Sequence, residues 1–136
     1  MTKEEIKNKN DDVKAILENK EHQVVGLKAF FNLASLWELN RHDAASLLGD
    51  PKERTYYNWK EGKVGFVPTD TMRRISYLLG IHKALRILYR NPENLYKWIK
   101  QPNDYFNGQS PLERMVNGDM VEMAHVRKYI DGIRGT

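Results

Sequence analysis

One short segment combines side chains that could contact nucleic acid. Residues 52–63 hold four basic and two acidic side chains, a local net charge of +2. Arg and Lys can reach phosphates or guanine edges, and Asn can pair with adenine. The candidate DNA-contact residues are Lys52, Arg54, Thr55, Tyr57, Asn58 and Lys60. The alternative is a solvated helix face that binds nothing, as on many surface helices.

The residues that could support catalysis or bind metal have no matching spacing. The chain has no Cys, which excludes disulfides, thiolate nucleophiles and Cys-ligated zinc. The four histidines are His22, His42, His82 and His125. No two of them stand three or four residues apart, so no helix face carries a paired metal site. We therefore expect no enzyme activity, no metal site and no cofactor.

The candidate DNA-contact residues lie in DAASLLGDPKERTYYNWKEG, a segment with the pattern of a helix-turn-helix. Ala44 and Ala45 allow two helices to approach closely, and Gly49 suits a left-handed helix end. The second helix is predicted from about Lys52 to Lys60. Its aromatic residues divide by spacing: Tyr56 and Trp59 are three apart and should point into the core. Tyr57 lies on another face and is the better candidate for DNA contact.

Charge and hydropathy describe an ordinary globular chain of 136 residues, with 40% hydrophobic and 29% charged residues. No apolar run is long enough to span a bilayer, and the charged start is no signal peptide. We therefore expect a cytoplasmic protein without membrane contact. Residues 1–70 carry 11 basic and 12 acidic side chains, whereas residues 71–136 carry 11 and 6. The net charge of +4 thus comes from the second half.

Pro, Gly and Asn residues divide the chain into helical segments. No segment alternates apolar and polar residues as a strand would. Thr2 and Glu5 predict a capping box that opens a polar helix, whose thin apolar stripe buries little and is compatible with a mobile arm. Gly80 predicts a kink or a joint between two helices. The predicted fold is all-α, a helix-turn-helix half packed with a helical C-terminal half. The predicted units are an arm (1–22), a helix-turn-helix region (23–68) and a C-terminal domain (69–136).

Four further helix predictions rest on apolar stripes and on Asn-Pro or Ser-Pro starts. Residues 24–39 form a core helix whose apolar face includes Val24 and Leu36. Asn91-Pro92 and Ser110-Pro111 each open a short helix. The last helix follows Asp119, and its stripe is Met120, Met123, Val126, Ile130 and Ile133.

The helix-turn-helix resembles the Xre type, in which an Ala-rich helix, a turn Gly, a recognition helix ending in Trp and a nearby Gly recur. The interval from Gly49 to Trp59 is one residue longer than the common pattern. The second half resembles the toxin-binding domain of the Xre/MbcA/ParS antitoxins. The matching features are the NPE start at Asn91, Trp98, the Gly108-to-Glu113 segment and the closing YIDGIRG. The resemblance covers roughly residues 24–135.

This resemblance implies a partner and two activities. Family members bind a RES-domain toxin, which degrades NAD, and cover its active-site entrance with their C-terminal segment. The complex also represses its own operon by binding operator DNA, for which a homodimer is expected. Carried over by position, the toxin-binding residues are Lys128, Tyr129, Asp131, Arg134 and Gly135. Arg134 has the alternative role of a helix-end cation. A standalone helix-turn-helix regulator is the alternative function.

Basic residues also mark the helix that leads into the second half. They are Arg73, Arg74, Lys83, Arg86 and Arg90. The hypothesis is that they form one surface facing an acidic toxin surface or the DNA backbone. The alternative is a solvated face.

Overall fold

Eight α-helices and one 3₁₀ turn form the regular structure of residues 2–135, the part of the chain that the computed structural model describes. They are α1 (Lys3–Glu18), α2 (Lys20–Leu36), α3 (Arg41–Leu47), α4 (Glu53–Lys60), α5 (Thr69–Leu88), α6 (Pro92–Lys100), the 3₁₀ turn (Asp104–Phe106), α7 (Pro111–Asn117) and α8 (Met120–Arg134). No strand occurs within residues 2–135, which confirms the all-α prediction. In that range no helix has both the length and the apolar character needed to cross a membrane.

Local capping explains where most of these helices begin. Thr2 and Ser110 each form a full capping box, with Glu5 and Glu113 as the reciprocal partners. Four Asn side chains accept a hydrogen bond from a backbone N–H in the first turn of the helix that follows. They are Asn19, Asn40, Asn91 and Asn103. The predicted helix starts at Pro92 and Pro111 are confirmed.

Helix α5 is the centre of the hydrophobic core. Its buried side chains are Thr71, Met72, Ile75, Leu78, Ile81, Ala84 and Leu85. They face α2 and α8, the two helices with which α5 packs most extensively. A single cluster of buried residues extends from Leu17 in α1 to Ile130 in α8. The two halves expected from sequence therefore share one core.

The predicted joint at Gly80 is wrong, because α5 continues through this residue to Leu88. The glycine provides space for packing. A Cβ at Gly80 would lie 2.6 Å from the Arg127 Nη1 atom, so the absent side chain leaves room for Arg127 of α8. Buried residues on both sides of Gly80 offset its low helix propensity.

Some expected boundaries and core positions also differ. Asn19 is both the last cap of α1 and the first cap of α2, so a boundary at residue 22 falls inside α2. Three apolar residues assigned to buried stripes are exposed: Val24 (39%), Leu36 (49%) and Ile133 (46%). They lie at the margins of their stripes, where a helix turns away from its neighbours.

One partly buried hydrogen bond joins α5 to the end of α2. The fully buried Trp37 donates from Nε1 to His82 Nδ1 at 3.0 Å. His82 must therefore be unprotonated at Nδ1, with its ring proton on Nε2. Burial, aided by the nearby Arg86 guanidinium, lowers the pKa of His82 below its usual 6.5.

This bond yields a stability prediction. His82→Phe should lower the free energy of unfolding by about 1–3 kcal/mol at neutral pH, because the Trp37 N–H loses its acceptor. Wild-type stability should decline as the pH falls from 6.5 toward the lower folded pKa, because the unfolded chain takes up the proton first. This pH-dependent loss of stability should be absent from His82→Phe.

Urea unfolding followed by Trp fluorescence at neutral and mildly acidic pH measures both effects. The control is His22→Phe, since His22 is exposed. Equal pH dependence in His82→Phe and the wild type would contradict the account.

Candidate functional site

The turn between α3 and α4 contains two consecutive left-handed residues. Gly49 has φ +92° and Asp50 has φ +57°. The Asp50 backbone N–H donates to the Ala45 carbonyl at 2.9 Å, and Ser46 Oγ donates to the Asp50 carboxylate at 3.3 Å. Asp tolerates this conformation better than most residues because its side chain can bond locally. Helix α4 begins at Glu53, three residues after Asp50.

Helix α4 is held by its two inward aromatic rings. Tyr56 and Trp59 are each 4% exposed, as their spacing predicted. The Tyr56 ring meets the Phe31 ring edge to face, with centroids 5.5 Å apart. Burial, with a smaller contribution from Tyr57, raises the pKa of Tyr56, so its hydroxyl stays neutral. This anchoring fixes which face of α4 is presented outward.

The outward face of α4 carries Arg54 and Tyr57, both exposed and three residues apart. Arg41, at the start of α3, extends this face. Its guanidinium lies 5.9 Å from the centre of the Tyr57 ring and pairs with Glu53 at 3.4 Å. Sequence analysis missed Arg41, although its place one residue after the Asn40 cap puts it at the edge of the helix-turn-helix.

The other candidate DNA-contact residues lie beside this face. Lys52, Thr55 and Asn58 line a cleft of about 570 Å³ between α4 and the segment of residues 61–68, here called the 61–68 loop. Thr55 and Asn58 are half-buried there, whereas Lys52 and Lys60 are exposed. Five of the six candidates thus lie on the outward face of α4 or in the adjoining cleft, whereas Lys60 lines a different cleft together with Lys28 and Phe31 of α2.

In the C-terminal half, aromatic rings surround one of the predicted toxin-binding residues. The Tyr129 ring stacks on Tyr105 with centroids 4.2 Å apart, and on Trp98 at 6.3 Å. It also meets Phe106 edge to face at 5.4 Å. Tyr129 therefore fixes α8 against α6 and the 3₁₀ turn, and Tyr105, 62% exposed, covers its outer side.

Ion pairs hold the other predicted residues near the end of α8. Asp131 accepts from Arg127 Nε at 3.1 Å through both carboxylate oxygens and lies 3.7 Å from Arg134 Nη1. The Arg134 side chain is 21% exposed, and Gly135 ends the helix with φ +78°. Lys128 is exposed. Of the predicted toxin-binding side chains, Lys128 is the one most open to a partner.

Lys128 opens onto a cleft that sequence analysis missed. The cleft has a volume of about 350 Å³ and is lined by Tyr105, Phe106, Arg114, His125 and Lys128. The aromatic pair at residues 105–106, in a loop between Pro102 and Gly108, was the available sequence signal. Three of the five lining residues are basic or can become so, which favours an acidic ligand.

One carboxylate partly neutralises this cleft. Glu122 accepts from Arg114 Nε at 2.6 Å and lies 3.4 Å from His125 Nδ1. The hydrogen bond from Arg114 lowers the pKa of Glu122, so this carboxylate is ionised at neutral pH. Lys128 then supplies most of the uncompensated charge.

The basic residues of α5 do not form one surface. Arg74 pairs with Asp70 at 2.8 Å beside the helix-turn-helix, whereas Arg73 lines a groove with Arg127. Arg86 and Arg90 line a separate cleft of about 270 Å³ beside His82. The sites are separated mainly along the helix, because Arg73 and Arg86 are 13 residues apart in α5, which is about 20 Å at roughly 1.5 Å per residue. The five residues therefore do not form one continuous patch, and the partner that each group faces stays a prediction.

Comparison with known proteins assigns the C-terminal half. Residues 84–135 match the antitoxin Xre/MbcA/ParS C-terminal toxin-binding domain. The chain belongs to this antitoxin family. A relative from Sinorhizobium fredii (strain NBRC 101917 / NGR234), described as uncharacterized protein y4oB, is 44% identical over 109 residues, which are 80% of this chain and 84% of the relative.

The segment that matches the toxin-binding domain contains the main features of the C-terminal half. It begins at Ala84 inside α5 and includes the aromatic stack, the cleft beside Lys128 and the end of α8. The antitoxin is therefore a toxin-binding protein whose binding domain contains all five predicted toxin-contact residues. Among residues 2–135, no group of three or more His, Cys, Asp or Glu side chains is placed to hold a metal ion.

The aromatic stack predicts that Tyr129 is needed for stability. Tyr129→Ala should lower the free energy of unfolding by about 2–4 kcal/mol, because three ring contacts of roughly 0.5–1.5 kcal/mol each are lost. The exposed neighbour Lys128 is the control, and Lys128→Ala should change stability by less than about 0.5 kcal/mol. Chemical denaturation measures both variants. Similar stabilities for the two would show that the stack contributes little.

Proposed function

We propose that this antitoxin neutralises a RES-domain, NAD-degrading toxin by covering its active site with the end of α8. The observation that carries the proposal is the match of residues 84–135 to the toxin-binding domain. The choice of a RES toxin rests on the family resemblance, which extends from the NPE helix start to the closing YIDGIRG. Both proteins would act in the cytoplasm.

The surface around Lys128 supports this arrangement. Lys128 and Arg134 place two cations at this end of α8. They would pair with acidic side chains on the toxin surface around the active-site entrance, because complementary charges across an interface favour association. Arg134 is held at 3.7 Å by Asp131, which limits its freedom before binding and so reduces the entropy lost on binding.

We further propose that the helix-turn-helix binds operator DNA and represses the operon. Arg54, Tyr57 and Asn58 supply donors for phosphates and base edges on one side of α4. One recognition helix of eight residues reads few base pairs, so a homodimer on two half-sites is expected. A standalone regulator would use this surface in the same way but would have no toxin partner.

Co-expression tests the proposed toxin partner. The chain should restore growth to cells that express the RES-domain protein from the adjacent gene, and should co-purify with it. Lys128→Glu should weaken the complex about 10- to 100-fold, because like charges at an interface cost several kcal/mol. Lys9→Glu, on the exposed face of α1, is the matched control. Failure of the wild type to rescue growth or to bind would refute the RES assignment.

A gel shift with the region upstream of the chain's own gene tests operator binding. Arg54→Ala should reduce affinity for that duplex, since a good base contact contributes about 1–3 kcal/mol of discrimination. Lys97→Ala, an exposed change on α6, should have no effect. If Arg54→Ala binds as tightly as the wild type, α4 is not the reading element.

A further inference from the structure

The most exposed large apolar side chain in the described part of the protein lies beside the proposed DNA surface. Phe66 is 84% exposed, whereas its neighbour Val67 is 3% exposed. A single exposed apolar residue is common on protein surfaces and carries no argument alone. Its position matters here because Phe66 lines the same cleft as Lys52, Thr55 and Asn58. Any polymer lying along that side of α4 would also meet Phe66.

The loop that carries Phe66 is held at several points. Val67 is buried and Val64 packs partly against the core. Lys20 Nζ donates a hydrogen bond to the Gly65 carbonyl, which ties the loop to the start of α2. Gly62 provides the left-handed turn after α4, with φ +87°. The exposure of Phe66 is therefore a fixed feature of the fold.

The charges around Phe66 favour a polyanion over an apolar protein surface. Three lysines lie near Phe66: Lys52 and Lys63 line the same cleft, and Lys20 bonds to the Gly65 carbonyl. Two acids lie nearby: Glu61 pairs with Lys63 at 3.1 Å, and Asp50 accepts from Ser46, which orients the carboxylate but leaves its charge. The Glu61–Lys63 pair is exposed, so it contributes little stability and Lys63 can turn to another anion.

We infer that Phe66 is a DNA-contact residue that packs its ring on the deoxyribose of the strand whose phosphates meet Lys52 and Lys63. This inference rests on the proposed binding of operator DNA by α4 and extends the contact surface to the 61–68 loop. The ring supplies an apolar contact that does not depend on sequence. The lysines supply the phosphate contacts that set its register.

The two kinds of contact respond differently to salt. Loss of a phosphate contact reduces the slope of log affinity against log salt by about 0.9, whereas loss of an apolar contact leaves the slope unchanged. Phe66→Ser should weaken binding about 10- to 100-fold at every salt concentration, since burying a Phe side chain contributes roughly 1.5–3 kcal/mol. The affinity of Phe66→Leu for the duplex should stay within about threefold of the wild-type value, because the leucine side chain is also apolar.

The experiment measures fluorescence anisotropy on the upstream duplex and on a scrambled duplex across a salt series. Phe66→Ser should lose affinity for both duplexes with an unchanged slope, and Lys63→Met should reduce the slope. Ile87→Ser is the matched control, a 59% exposed apolar residue near the end of α5, and should bind normally. Melting temperatures should match the wild type, because both sites are exposed.

Three results would overturn the inference. If the wild type binds and Phe66→Ser binds equally well, Phe66 makes no contact although the DNA-binding proposal stands. If Phe66→Ser also lowers the molecular mass in solution, Phe66 belongs to an interface between copies of the chain. If the wild type binds neither duplex, the proposed DNA function fails and Phe66 has no DNA to contact.

Discussion

Helix α5 must be buried on two sides, and the rest of the structure depends on this constraint. Its apolar residues at positions 72, 75, 78, 81 and 85 cannot all face one neighbour. Helix α2 covers one side and α8 covers the other. Because α2 supports the helix-turn-helix and α8 belongs to the toxin-binding domain, neither half completes its core without the other.

Further contacts hold the two halves together. Thr71 Oγ1 donates to the Leu48 carbonyl at 2.9 Å, which ties the first turn of α5 to the end of α3. Helix α3 also packs against α7 of the toxin-binding domain. The family match begins at Ala84, four residues before the end of α5, so the matched unit lacks most of the helix that its core requires. The proposed operator surface and the toxin-binding domain therefore share one hydrophobic core.

The parts of the fold that could be predicted from sequence are those determined by near neighbours. Caps at Thr2, Asn40 and Ser110 act within one helical turn, and the inward pair Tyr56 and Trp59 follows from spacing alone. The family features of the second half were recognisable because many of them occur in a fixed order.

What could not be predicted depends on residues far apart in the chain. The bond from Trp37 to His82 spans 45 positions, and Arg127 passes Gly80 from a different helix. The sequence of α5 alone therefore suggested a break where a long-range contact needs space. Likewise, Tyr129 was a predicted toxin contact, but its packing against Trp98 and Tyr105 depends on how three elements meet. The cleft beside Lys128 and the exposed position of Phe66 also arise only in the folded chain.

Hydrogen–deuterium exchange on the purified antitoxin, with and without the RES-domain protein from the adjacent gene, tests the central claim most directly. The account predicts new protection in α8 and in the loop at residues 102–109, while the outward face of α4 exchanges as before. Protection centred on α4, with none in residues 84–135, would contradict it.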